Sequence, residues 1–101
     1  YQLINRFDPE IPPQARVRFA LASYNVGYGH LLDARRLATT KGWDPNRWFD
    51  HVEKAMRLLQ KPEYYTRARY GYCRGGQPVH YVRNIQDYYD AYVATLQRVD
   101  N

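Results

Sequence analysis

The sequence predicts an all-α domain, and three observations carry that reading. Apolar residues recur at steps of three and four in four separate segments, the last reaching from Val79 to Val99. No segment alternates convincingly with period two, the signature of a half-buried strand. Proline and glycine fall where one periodic segment gives way to the next.

The elements follow in order. Residues 1–12 form a lead-in, in which "FDPEIPPQ" stays extended until Pro13, a residue suited to a helix's first turn. The helical part spans 13–101 in a single domain. In "QARVRFALASYN" the residues Val17, Ala20, Leu21 and Tyr24 define one face, with Phe19, Ala22 and Val26 on its flanks. That helix is apolar nearly all round, as expected of one central to its domain, and Gly27 and Gly29 break it. A second helix over "HLLDARRLATTKG" turns Leu31, Leu32, Ala34, Leu37 and Ala38 inward and closes at Gly42. Asp44 is expected to cap a third helix with Pro45 at its first position and Trp48, Val52, Ala55, Met56 and Leu59 inward. Lys61-Pro62 ends it, and "EYYTRARYGYCRGGQP" predicts a short helical turn followed by a glycine-bounded loop. The last helix presents Val79, Val82, Ile85, Tyr89, Tyr92 or Val93, Leu96 and Val99 on one stripe. The first helix expects neighbours on every side, so a face including residues such as Phe19 or Tyr24 is expected to lie open. An absent segment or a second copy would pack there.

Composition narrows the partners. The net charge of +5 favours an anionic partner, but the arginines are scattered among separate segments, often beside acids, as on solvated helix faces. No apolar run approaches the roughly 18 residues of a membrane span. "YQLINRFDPE" has no signal-peptide pattern, and an internal Tyr1 predicts a piece of a longer protein. The single Cys73 forms no internal disulfide. The 11 tyrosines are the compositional oddity, since Tyr stacks on sugars or bases and needs a hydrogen-bond partner when buried.

Most catalytic chemistries find no support. His30, His51 and His80 lack the local spacing of zinc ligands, so no metal is expected. Arg74 beside Cys73 would lower the thiol pKa, though one such neighbour makes a weak nucleophile motif. Ser23 lacks a Gly-x-Ser-x-Gly elbow, and Gly75-Gly76 lacks the Lys-Ser/Thr of a phosphate loop. The loop "YYTRARYGYCRGG" has no sheet platform or dense basic stripe, so nucleic acid is not the expected partner; packing over a helix is. Glu10 sits in the lead-in, Glu53 on the outer side of the third helix and Glu63 after a proline. None is flanked by residues that would bury it and make it a general acid.

Two stretches have specific character. "ALASYNVGYGH" places Tyr24 and Asn25 at the end of a buried helix, where an amide able to donate and accept suits an acetamido group and the ring suits a sugar face. "HYVRNIQDYY" opens the last helix with Tyr81, which would face the same pocket if the last helix packs on the first.

Together these stretches resemble the lytic transglycosylases, bacterial enzymes with a goose-lysozyme-like fold that cleave peptidoglycan. The family's Ala-x-x-Ala-Tyr-Asn-x-Gly reads here Ala20-Leu21-Ala22-Ser23-Tyr24-Asn25-Val26-Gly27, with Ser23 where the family usually has Ala. Its Tyr-Val-x-x-Val/Ile reads Tyr81-Val82-Arg83-Asn84-Ile85. The segments "GYGHLLDARRLA", "GWDPNRWFDHV" and "GYCRGGQPVHYV" are similar to the membrane-bound F-type members, so the resemblance spans essentially the whole chain. The family's Glu-Ser and Gly-Leu-Met-Gln-type motifs do not occur here. The resemblance therefore implies the C-terminal part of a catalytic domain, with the acid/base glutamate expected upstream of residue 1 and no catalytic residue within the chain.

For the parent, the resemblance implies non-hydrolytic cleavage of the β-1,4 bond between N-acetylmuramic acid and N-acetylglucosamine. One glutamic acid protonates the leaving oxygen, then takes the proton of the muramyl C6 hydroxyl as that hydroxyl attacks C1, leaving a 1,6-anhydro end. An internal hydroxyl replaces water, so a single carboxylate suffices and no cofactor or metal is needed. Tyr24 and Asn25 would orient the 2-acetamido group, and Tyr81 would hold a hydroxyl or the glutamate. The implied setting is periplasmic, with the parent attached to the outer membrane of a Gram-negative bacterium. The implied partners are glycan strands and the missing N-terminal part of the domain, or a second copy. The alternative is a non-catalytic glycan-binding module of the same fold.

Overall fold

The computed structural model describes residues 3–100, of which Val99 and Asp100 are described by backbone alone. Among the described residues there is no strand, and the all-α expectation holds. A short 3-10 turn, Ile4–Arg6, precedes helices α1 (Pro13–Val26), α2 (Tyr28–Thr40), α3 (Glu53–Leu58), α4 (Pro62–Tyr65) and α5 (Gly76–Asp100). Helix α1 packs against both α2 and α5, and α3 closes the other side against α2 and α5. The lead-in is part of the body, because Phe7 and Ile11 are buried in the core.

Phe19 is the hub of that core. It is wholly buried and meets Phe7 at 5.6 Å between ring centroids and Trp48 edge-on at 6.5 Å. This corrects the expected orientation of α1. The inward set is Ala15, Phe19, Ala20, Ala22 and Ser23, so Ala20 faces inward as expected, while Val17 is 45% and Tyr24 77% exposed. A helix apolar on all sides carries no amphipathic direction, so its own sequence gives no rotation about its axis. The open face thus exists, but it carries Val17 and Tyr24 and not Phe19.

Gly27 separates α1 from α2. Its φ of 105° and ψ of 145° lie where a side chain is strained, and its N–H still closes α1 onto the Ser23 carbonyl at 2.7 Å. Gly29 does not break the helix; it lies inside α2, where the Tyr70 ring occupies the space of a Cβ, 2.9 Å away. Helix α2 buries Leu31, Ala34 and Ala38 as expected, whereas Leu32 and Leu37 are only half-buried.

The third helix starts later than Pro45. Asp44 Oδ1 accepts the Asn46 N–H at 2.8 Å in a local turn, Phe49 is extended, and Asp50 takes a left-handed φ of 66°. Regular helix begins only past that kink, yet Trp48, Val52, Ala55, Met56 and Leu59 are all buried. Apolar spacing places a core correctly even where one intervening turn is not helical. Glu53 is also buried, contrary to the expected outer position. Its Oε1 accepts the Asp50 N–H at 3.2 Å, and Oε2 lies 3.7 Å from the Arg83 guanidinium, so it holds the kink against α5.

Helix α5 leaves the body along its length. Val79 and Val82 are buried, but Ile85 is at the exposed margin and Tyr89, Tyr92 and Leu96 are exposed. The predicted stripe is present in sequence and finds no cover over its second half; the Val99 side chain lies outside the described residues. Between α1 and α5, Val17, Leu21, Ile85 and Tyr89 line an apolar groove.

Candidate functional site

The last turn of α1 and the first turns of α5 meet at one end of the molecule. There Asn25 and Tyr81 line the same depression, of about 610 Å³. Tyr24, one residue earlier, projects from the helix end and is not among the lining residues. The motif pair separated by more than half the chain is thus brought together through Asn25 and Tyr81, with Tyr24 beside them.

Three further amides, Gln60, Gln77 and Asn84, share the wall with Asn25, and Tyr72 adds a second ring. Gln77, Tyr81 and Asn84 follow helical spacing and form one face of α5, a signal available in sequence. Gln60 carries no such signal, since it sits beyond α3; its Oε1 accepts the Gly76 N–H at 3.3 Å and fixes the start of α5. Gly75, next to it, passes so close to the Met56 carbonyl that no Cβ fits.

The lining has amides that donate and accept, two phenols, Arg74 and His80, and no carboxylate. Such a surface can grip a neutral polar ligand and stack on its faces. Glu10 and Glu63 are exposed, and Glu53 already serves Arg83 and the Asp50 N–H. The three histidines lie on different elements, and no group of three metal-ligating side chains occurs among the described residues.

Cys73 corrects another expectation. It is buried, with its sulfur 3.8 Å from the Met56 sulfur, and burial together with the Asp33 charge raises its pKa from 9.0 to about 11. Arg74 does not activate it. An unfolded thiol ionises near its ordinary value while the folded one stays protonated, so stability is lost as pH rises between those values. The stability advantage of the native chain over Cys73→Ala should therefore shrink by about 2 kcal/mol from pH 8.5 to 11, read by urea melts. An advantage that stays constant would contradict the burial argument.

No family model matches the chain. Three curated relatives are similar to it over 99 residues, 98% of this chain, and all are named membrane-bound lytic murein transglycosylase F. Those of Shewanella loihica and Shewanella baltica are 52% identical and that of Shewanella woodyi 50%. The chain spans only 20% of each relative's own length.

Proposed function

We propose that this chain, homologous over nearly its whole length to a segment of membrane-bound lytic murein transglycosylases, supplies one wall of the glycan cleft of such an enzyme. The observation that carries the reading is the meeting of Asn25 and Tyr81 in one carboxylate-free depression. In this reading Asn25 exchanges hydrogen bonds with the muramyl 2-acetamido group. Tyr24, exposed beside it, offers a ring to a sugar face. The Tyr81 hydroxyl holds a substrate hydroxyl or the acid/base glutamate.

The glutamate itself belongs to the part of the longer protein outside this chain. It protonates the glycosidic oxygen, then accepts the proton of the C6 hydroxyl as that oxygen bonds to C1. The product is a 1,6-anhydromuramyl end, with no water consumed. Orientation is this chain's share: a correctly held acetamido group keeps C6 in reach of C1, and the reaction becomes an intramolecular closure. The lysozyme-like domain is completed across the apolar groove of Val17, Leu21, Ile85 and Tyr89, where another segment of the same enzyme packs. The enzyme works in the periplasm, attached to a membrane by a part other than these helices, none of which is long and apolar enough to cross one.

The direct test is a titration of the chain with the disaccharide N-acetylglucosamine–N-acetylmuramic acid, followed by amide chemical shifts. Saturable shifts should cluster at residues 24–27, 60, 72–77 and 80–84. Shifts scattered over the surface, or none at millimolar sugar, would remove the basis for a glycan wall.

A further inference from the structure

A second polar concavity lies on the α2–α4 face and shares no lining residue with the Asn25–Tyr81 depression. Its volume is about 580 Å³. Arg36 and Lys41 border it from the end of α2, and Arg67 and Arg69 from the loop that follows α4. Asp33 and Glu63 are also there, so two positive charges remain in excess. Leu37 and Ala68, both packed against the core, give the concavity an apolar part.

Asp33 is spent internally. Its side chain is 1% exposed and accepts from the Arg36 guanidinium at 2.6 Å, the Arg69 N–H at 3.2 Å and the Tyr70 N–H at 2.8 Å. By holding two successive backbone N–H groups it fixes the loop that carries Arg67 and Arg69. Lys41 donates to the Tyr64 hydroxyl at 2.8 Å, which leaves the phenol's own proton to be donated onward. Among the described residues the ion pairs are Arg36–Asp33 and Arg83–Glu53, so Lys41, Arg67 and Arg69 have no carboxylate within 4.0 Å. Glu63 is exposed and pairs with none of them. Three unpaired positive groups on fixed supports around one concavity form a receptor for anions.

We propose that this concavity binds a phosphate monoester, with the phosphate among Lys41, Arg67 and Arg69 and its carrier over Leu37 and Ala68. Two features favour phosphate over a carboxylate. A monoester carries a charge of about −1.5 to −2 at neutral pH and so matches the excess, whereas a carboxylate leaves half of it unmet. Its three terminal oxygens accept from several directions at once, and the donors here come from two separate elements, α2 and the loop beyond α4. Lys41 serves as a point charge and the two guanidiniums as forks, two complementary ways of holding phosphate oxygens. The monoester is either a small molecule in solution or the headgroup of a lipid, and the chemistry at the cations is the same. No side chain serves both this site and the glycan wall, so either can exist without the other.

The test pairs a titration with glycerol 3-phosphate, read by amide shifts, with co-sedimentation on phosphatidylcholine vesicles that contain phosphatidic acid. Glycerol 3-phosphate should move amides within 36–41 and 63–70 with a dissociation constant of about 1 mM. Binding should weaken several-fold from about pH 7.5 to about pH 5. No histidine lines the concavity, and the ester loses its second charge at about pH 6, so the change follows the ligand. The double variant Arg67→Gln/Arg69→Gln should weaken binding about tenfold at unchanged melting temperature, since both side chains are exposed and the Arg69 backbone bond to Asp33 remains. Saturable binding of the soluble ester without vesicle binding supports a small-molecule ligand. Vesicle binding that requires phosphatidic acid and is lost in the double variant supports a lipid headgroup. Absence of both, succinate binding as tight as the ester's, or a double variant that binds like the native chain would each overturn the proposal.

Discussion

Asn25→Ala and Tyr81→Phe, made in the proposed full-length transglycosylase, are each expected to lower kcat on murein about 100-fold while leaving the melting temperature nearly unchanged. The size follows from the loss of one hydrogen bond that tightens in the transition state, about 3 kcal/mol of barrier. The stability side follows from position. Asn25 is exposed in the last turn of α1, where the Gly27 N–H already closes the helix, and Tyr81 is only half-buried. Rates come from anhydro-product release and stabilities from thermal melts. An Asn25→Ala variant of normal kcat and lowered melting temperature would make Asn25 a structural residue at a helix end, and the site would have to be sought elsewhere.

Phe19→Ala has the largest expected effect on stability, a loss of about 4 kcal/mol. The ring is wholly enclosed and bridges the lead-in, through Phe7, to the kinked turn, through Trp48. Its removal leaves a cavity between three separate segments, which have no simple way to collapse onto it together. Val17→Ala on the same helix should cost less than about 1 kcal/mol, because that side chain is nearly half exposed already. Urea melts of the two variants give the comparison, and equal losses would mean that α1 sits in a different rotation.

That pair also marks what sequence could reveal. The all-α class and most of the buried positions, Leu31, Ala34 and Ala38 in α2 and Trp48 to Leu59 around α3, were legible, because spacing of apolar residues is a local property. The rotation of α1 was not, because an all-round apolar helix takes its orientation from its neighbours. The kink at Phe49 and Asp50 was hidden for a related reason. Proline after aspartate has the chemistry of a helix start, and only the Glu53 carboxylate, reaching back to the Asp50 N–H, shows where the helix begins. The inward carboxylates Glu53 and Asp33 were invisible as such, since their partners Arg83, Arg69 and Tyr70 are supplied by distant segments. In the candidate site Asn25 and Tyr81 were legible through their motifs. Gln60 and Tyr72 were not, because nothing near them in sequence points toward the end of α1.

In the proposed division of labour this chain orients the glycan while a glutamate from elsewhere in the enzyme does the proton transfer. The measurement closest to it is mass spectrometry of the products released from purified murein sacculi, by the full-length enzyme and by this chain alone. The expected result is 1,6-anhydromuramyl products from the full-length enzyme and no release by the chain. Hydrated, reducing muramyl ends from the enzyme would contradict the intramolecular closure. Anhydro products from the chain alone, abolished by Glu63→Gln, would place the acid within these residues and contradict the division of labour.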